Sequence, residues 1–181
     1  MPNNKAILLS IQPVWCSKIV LKEKTVEVRK TRPKLETPFK VYIYCTLAGS
    51  DSLFMDVLNR DVAAWNRGGW PEKKGRVIGE FVCDDVRRIG PECCVIREDI
   101  EAAIAGSCLT IQQVKDYAGW KSGMSYADLK DLYGWHISDL KIYDRQRPLS
   151  DFTRLRATKF GYELVDIERP PQSWFYVEDG R

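Results

Sequence analysis

Histidine is almost missing from this chain: His136 stands alone among 181 residues. There is also no Cys-x-x-Cys pair, so the ligand spacing of a structural zinc site is lacking and no metal is expected. Neither a Gly-x-Ser-x-Gly elbow nor a phosphate-binding P-loop occurs, which sets aside two common catalytic architectures. No cofactor is expected. No apolar run approaches the roughly 20 residues that a membrane span needs. The short run over residues 6–11 leads into Gln12 and Pro13 with no small-residue cleavage site, so no signal peptide is expected. The cytoplasm is the expected location. Internal repeats and low-complexity tracts are absent too.

What is present describes a soluble globular protein, with 44% hydrophobic and 29% charged residues. Its six cysteines sit as small hydrophobes or singletons: Cys16, Cys45 and Cys83 fall inside apolar segments, Cys93 and Cys94 are adjacent, and Cys108 is isolated. Reduced thiols are the expectation. The net charge of +3 is too small to announce a polyanion partner. Its distribution is uneven, since residues 1–40 hold nine Lys/Arg against three Asp/Glu. A basic end fits an anion site and fits a solvated face equally well.

Periodicity organises the chain as strands around a helical middle. Residues 5–11 form an apolar strand, and Pro13 opens a helix over 13–23 on which Trp15 and Ile19 recur at helical spacing. In 25–30 the alternation puts Val26 and Val28 on one face and Thr25, Glu27 and Arg29 on the other. A strand follows at 39–46, a helix at 51–67 and a turn-rich connection at 66–75. The next β segment covers 76–89, where Gly79 marks a bulge or bend. Helices are expected over 98–105 and 110–118, with Thr110 as N-cap of the second. A third opens at Ser125 and Asp128 and runs through Leu132. A bulged strand over 135–144, a turn anchored by Phe152, and strands in 161–168 and 173–178 complete the pattern. Residues 91–133 carry seven acids and four bases and read as an acidic helical insertion.

Lys24, Glu27 and Arg29 attract attention because a short strand rarely needs three charges. On one strand face Glu27 and Arg29 stand about 7 Å apart. There a carboxylate accepts from an exocyclic amine, and a guanidinium forks onto a phosphate or carbonyl edge. The bland alternative is a wet strand face with a weak ion pair. Trp15 is a core residue or a base-stacking platform. Gln172 and Ser173, at the mouth of the last strand, read base edges or cap a turn. Trp174 and Tyr176 share a face of that strand. His136 is expected as a buried, hydrogen-bonded structural residue. Arg145, Arg147, Arg154 and Arg156 form a second basic cluster.

Ser10, Ile11 and Pro13, followed by a helix and then by Lys24, Glu27 and Arg29 as Lys-x-x-Glu-x-Arg, resemble the opening of the ASCH domain family of the PUA-like superfamily. "GRVIGEFVCDDV" is similar to that family's central β segment. "WHISDLKIYDRQRPLSDF" and "PPQSWFYVE" resemble the endings of ASCH proteins met in phage and prophage genomes. The resemblance implies an α+β fold over 1–181: a PUA-like, mostly antiparallel β-barrel with flanking helices and a helical insertion at 91–133. It implies a polar cleft for RNA, a nucleotide or a plain or modified base, lined by Pro13, Trp15, Lys24, Glu27, Arg29, Gln172, Ser173 and Trp174. One ASCH branch hydrolyses N4-acetylcytidine, and Lys24 matches its lysine. Glu27 stands where that branch has its catalytic threonine, so Lys24 and Glu27 are catalytic candidates only under an amidohydrolase reading. A third reading is a protein-interaction module that docks a partner on residues 91–133.

Overall fold

The computed structural model describes residues 5–47, 75–91 and 97–179. The helix expected over 51–67, most of the 66–75 connection, and Cys93 and Cys94 lie outside the described residues. The chain divides into two compact units. One comprises Met1–Leu21, Phe39–Val82 and Asp139–Arg181; the other comprises Lys22–Pro38 and Cys83–Ser138.

The first unit is built on a five-stranded sheet. Its strands are β1 (Lys5–Ile11), β3 (Phe39–Cys45), β4 (Arg76–Cys83), β7 (Ser138–Arg147) and β10 (Trp174–Glu178), in the order β10-β1-β3-β4-β7. β1 runs antiparallel to β10 and parallel to β3. Buried between neighbours and on both faces, it reads as a continuous apolar run rather than an alternating one. Its parity sends Ala6 and Leu8 into a core with Tyr42, Tyr44, Val77 and Phe152, while Ile7 and Leu9 fill the opposite face. Phe152 meets Tyr42 edge-to-face at 4.9 Å.

Helix α1 (Pro13–Val20) starts as expected, with proline at the first position, and buries Cys16 and Ile19. It stops three residues earlier than its periodicity suggests, because Lys22 takes φ +61°, outside helical space. The strand expected in 161–168 is β9 (Gly161–Asp166); its partner β8 (Thr153–Thr158), which the sequence reading missed, completes a separate two-stranded sheet.

The second unit carries a three-stranded antiparallel sheet, β2 (Val26–Arg29), β6 (Leu132–His136) and β5 (Val86–Ile89), in the order β2-β6-β5. Helices α2 (Arg97–Ile104) and α3 (Ile111–Ala118) belong to the same core. Ile100, Ile104 and Val114 pack with Val28, Ile89 and Leu132. Thr110 caps α3 in a reciprocal arrangement with Gln113, and Gly119 at φ +79° ends it.

Several expectations are corrected. The segment 76–89 is two strands in different sheets, broken at Asp84 and Asp85. At Gly79 a β-carbon would collide with the Lys141 carbonyl of β7, so the glycine permits close backbone approach. The parity switch near Ser138 is likewise a change of sheet, from β6 to β7 across Ile137. Ser125 and Asp128 open no helix through Leu132; a single 3-10 turn, Tyr126–Asp128, precedes the strand that begins at Leu132. The architecture is α+β and mostly strand, and none of the three sheets closes into a barrel among the described residues. No described helix is long and apolar enough to cross a membrane.

Candidate functional site

β2 is short and buried at all four positions. Its apolar parity, Val26 and Val28, is the ordinary core face; the other parity presents Glu27 and Arg29 in register with Trp135 and Tyr133 of β6. Both faces are covered, so the charges do not point into water. Lys24, Glu27 and Arg29 are 2%, 6% and 9% exposed. They converge on one carboxylate. Glu27 Oε2 lies 3.3 Å from Lys24 Nζ, and Oε1 lies 2.8 Å from Arg29 Nη2. Lys24 Nζ also donates to the Ser107 carbonyl at 2.7 Å. A carboxylate offers about four acceptor sites, so Glu27 keeps capacity for a further donor while its orientation is fixed by two cations.

The loop after α2 holds this geometry. Thr25 and Val26 both donate their backbone N–H to the Gly106 carbonyl, at 2.8 and 3.1 Å, and Cys108 Sγ donates to the Glu23 carbonyl at 3.3 Å. Gly106 has φ +78°, and a β-carbon there would overlap Thr25 Oγ1. Only glycine seats the loop closely enough for Ser107 to meet Lys24. The outer side of this loop, with Ile104, Gly106, Cys108, Leu109 and Ile111, borders a concavity of about 660 Å³ that also carries Glu101 and Gln112.

An aromatic side chain that the sequence reading passed over completes the arrangement. Tyr117, on α3, is 39% exposed. Its ring carries Lys30 Nζ at 5.0 Å from the centroid. Its hydroxyl is pushed above the ordinary tyrosine range, first by burial, with Glu27 acting in the same sense and Arg29 opposing. The signal was available: in "IQQVKDYA" the apolar spacing Ile111, Val114, Ala118 assigns the core stripe and leaves Tyr117 off it.

The chain is similar in structure to ASCH from Zymomonas mobilis, with a TM-score of 0.52 and 16% identity, covering 96% of this chain and 88% of that one. A serine-to-alanine mutant of that protein gives a TM-score of 0.51 and 16% identity over 97% of this chain and 90% of the other. The fold is that of an ASCH protein. No family model matches the chain, and no curated protein sequence does.

On the ASCH fold the eight expected site residues divide between the units. Lys24, Glu27 and Arg29 are together in the second. Pro13, Trp15, Gln172, Ser173 and Trp174 are in the first. Ser173 accepts from the Ser10 backbone at 2.9 Å, Gln172 is exposed, and Trp174 is opposite Leu9 in register and edge-to-face with Tyr176 at 5.5 Å. Trp15 is half-buried and is not the helix's main core residue; Cys16 and Ile19 take that stripe. His136 is hydrogen-bonded as expected, to Asp84 Oδ1 at 2.6 Å, but it is part-exposed rather than buried. It sits where the chain leaves one sheet for another, a position open to solvent on one side. Of the four arginines, Arg147 pairs with Asp151 and Arg156 with Glu163.

Proposed function

We propose that this chain is an ASCH/PUA-like module that binds RNA or a nucleotide, receiving one unpaired base beside Lys24, Glu27 and Arg29. The single observation that carries the reading is their convergence: three buried charges meet on one carboxylate, and two of them, Glu27 and Arg29, act electrostatically on a half-exposed Tyr117 topped by Lys30. Buried ion groups add little net stability, because desolvation offsets the attraction. A cluster of this kind is better accounted for by recognition than by folding. Tyr117 offers a face for stacking, Lys30 a contact for phosphate, and Glu27 an acceptor for an exocyclic amine. The ASCH likeness runs over nearly the whole chain, which supports reading both units as one such module. The chain's β endings keep the phage and prophage branch as the expected subtype.

The amidohydrolase alternative gains no support from this geometry. The Lys24 ammonium donates to the Ser107 carbonyl and to Glu27, and an ammonium engaged in this way is a poor nucleophile. Incubation with N4-acetylcytidine should leave it intact; released cytidine would restore that reading.

The test of binding is titration of a fluorescent single-stranded RNA with the parent and with a Tyr117→Ala/Lys30→Ala double variant. Both substituted side chains lie outside the triad, so the fold is kept. A tenfold or greater loss is expected, equivalent to about 1.4 kcal/mol or more, together with weakening as salt rises. Equal affinity in the two proteins would sink the proposed site.

A further inference from the structure

The β8–β9 hairpin exposes far more apolar surface than its surroundings. Phe160 is 90% exposed, Tyr162 78%, Leu164 50% and Leu155 47%. Register explains the pattern. Leu155 pairs directly with Leu164 and Ala157 with Tyr162, so these four share one face of the ribbon. The opposite face carries Arg154, Arg156 and Glu163; Arg156 pairs with Glu163, and Arg154 lies over the Phe175 ring at 5.0 Å. The ionic face is therefore occupied within the chain while the apolar face is bare. At the tip, Lys159 and Phe160 form a two-residue turn, closed by the Phe160 N–H donating to Thr158 Oγ1.

The chemistry of this face selects its occupant. Residues 153–169 hold four basic and three acidic side chains, so the ribbon has no field that would draw a polyanion. Two of its apolar side chains are leucines, which cannot stack on bases. The area also fits. With aromatic side chains contributing roughly 150–250 Å² when fully covered, the bare parts of Leu155, Tyr162, Leu164 and the tip residue Phe160 come to about 550 Å². A symmetric pair would thus bury about 1,100 Å², just above the roughly 1,000 Å² that a specific interface requires.

We propose that the chain self-associates as a two-fold dimer through the apolar face and the Phe160 tip of the β8–β9 ribbon. Because the area barely clears the threshold, the dimer is weak and depends on all four side chains. Both copies present the same residues, so each substitution acts twice.

Sedimentation equilibrium of the full chain, from low to several hundred micromolar, tests this. The mass should rise from 20.9 kDa toward its double. Leu164→Asp, and separately Leu155→Lys, should each shift the dissociation constant at least a hundredfold upward with unchanged melting temperature. A parent that stays at 20.9 kDa throughout overturns the proposal. So does a dimer that both variants form equally well, since the contact would then lie elsewhere. A monomeric parent that sediments with neutral phospholipid vesicles, and loses this with Leu164→Asp, overturns it in favour of a lipid surface.

Discussion

Glu27→Gln is the most informative single change, because it removes one charge and almost no volume. The carboxylate is bound by Lys24 on one oxygen and Arg29 on the other, with all three side chains nearly dry. The amide leaves two buried cations facing each other across a neutral group. Breaking a buried ion pair by removing one partner costs about 3–5 kcal/mol, a large part of the roughly 5–15 kcal/mol by which domains are stable. With a urea dependence of about 2 kcal/mol per molar, the unfolding midpoint should fall by about 2 M. The control is an apolar replacement of the whole group, Lys24→Met/Glu27→Leu/Arg29→Met. Such replacements are often neutral or stabilising by about 1–4 kcal/mol. Here Ser107 would lose its buried donor, at a cost of about 1–3 kcal/mol, so the triple variant should lie within about 2 kcal/mol of the parent. It should nevertheless lose RNA affinity. Urea titration followed by tryptophan fluorescence gives the stabilities, and anisotropy gives the binding. A Glu27→Gln midpoint within about 0.5 M of the parent would refute the reasoning.

Gly106→Ala forces a side chain into a left-handed conformation and onto Thr25 Oγ1; thermal melting should show a loss of at least about 2 kcal/mol. Excision of residues 97–118 removes Ile100, Ile104 and Val114 from a shared core at about 2–4 kcal/mol each. The product should be unfolded by circular dichroism, and a folded product would show these helices to be separable from the sheet. Native alkylation followed by peptide mapping should modify the exposed Cys108 and spare the buried Cys16, Cys45 and Cys83; burial pushes the Cys83 thiol up to about 12, so it stays protonated at pH 8. Asp84 is held below its ordinary value chiefly by the hydrogen bond from His136. Its contribution is therefore full above the usual carboxylate range and is lost as pH falls through the lowered folded value. Solvent screening keeps it under about 1 kcal/mol. Asp84→Asn should flatten that part of the acid limb of stability against pH, and an unaltered limb would exclude the pair from acid sensitivity.

Local signals were readable and long-range ones were not. Pro13 at the start of α1, Thr110 before α3, the two-face parity of β2 and the anchor Phe152 all rest on interactions within a few residues, and each is where the sequence places it. One sheet change was passed over inside a single long β segment and the other was read as a bulge, because a strand that leaves one sheet for another keeps its β-favouring composition. Only the partner strands, distant in sequence, reveal the break at Asp84–Asp85 and at Ile137. Strand β8 alternates Arg154, Leu155, Arg156 and Ala157, but its apolar positions face outward, so it does not look like part of a core. The same limit hid Tyr117, which is off the core stripe of its own helix and gains meaning only from Arg29 and Lys30 beside it.

The triad also explains why the charges of β2 could not be judged from the strand alone. Along the sequence, Lys24, Glu27 and Arg29 look like the wet side of an amphipathic strand, and a wet side would make them interchangeable. Their burial depends on Gly106 and Ser107, about 80 residues away, which bring a backbone carbonyl onto Lys24 and seal the strand's entry. Once sealed, the geometry is rigid at both carboxylate oxygens, so a ligand group reaching Glu27 meets an acceptor that cannot rotate to suit it. Rigid polar sites discriminate strongly, because a ligand without the matching donor leaves a desolvated acceptor unsatisfied. A base with an exocyclic amine should therefore be preferred over one with a carbonyl at the same edge. In competition titrations, cytidine- or adenosine-containing oligomers should displace labelled RNA at least tenfold better than uridine-only ones. Equal displacement would remove Glu27 from recognition and leave Tyr117 and Lys30 as a platform indifferent to the base.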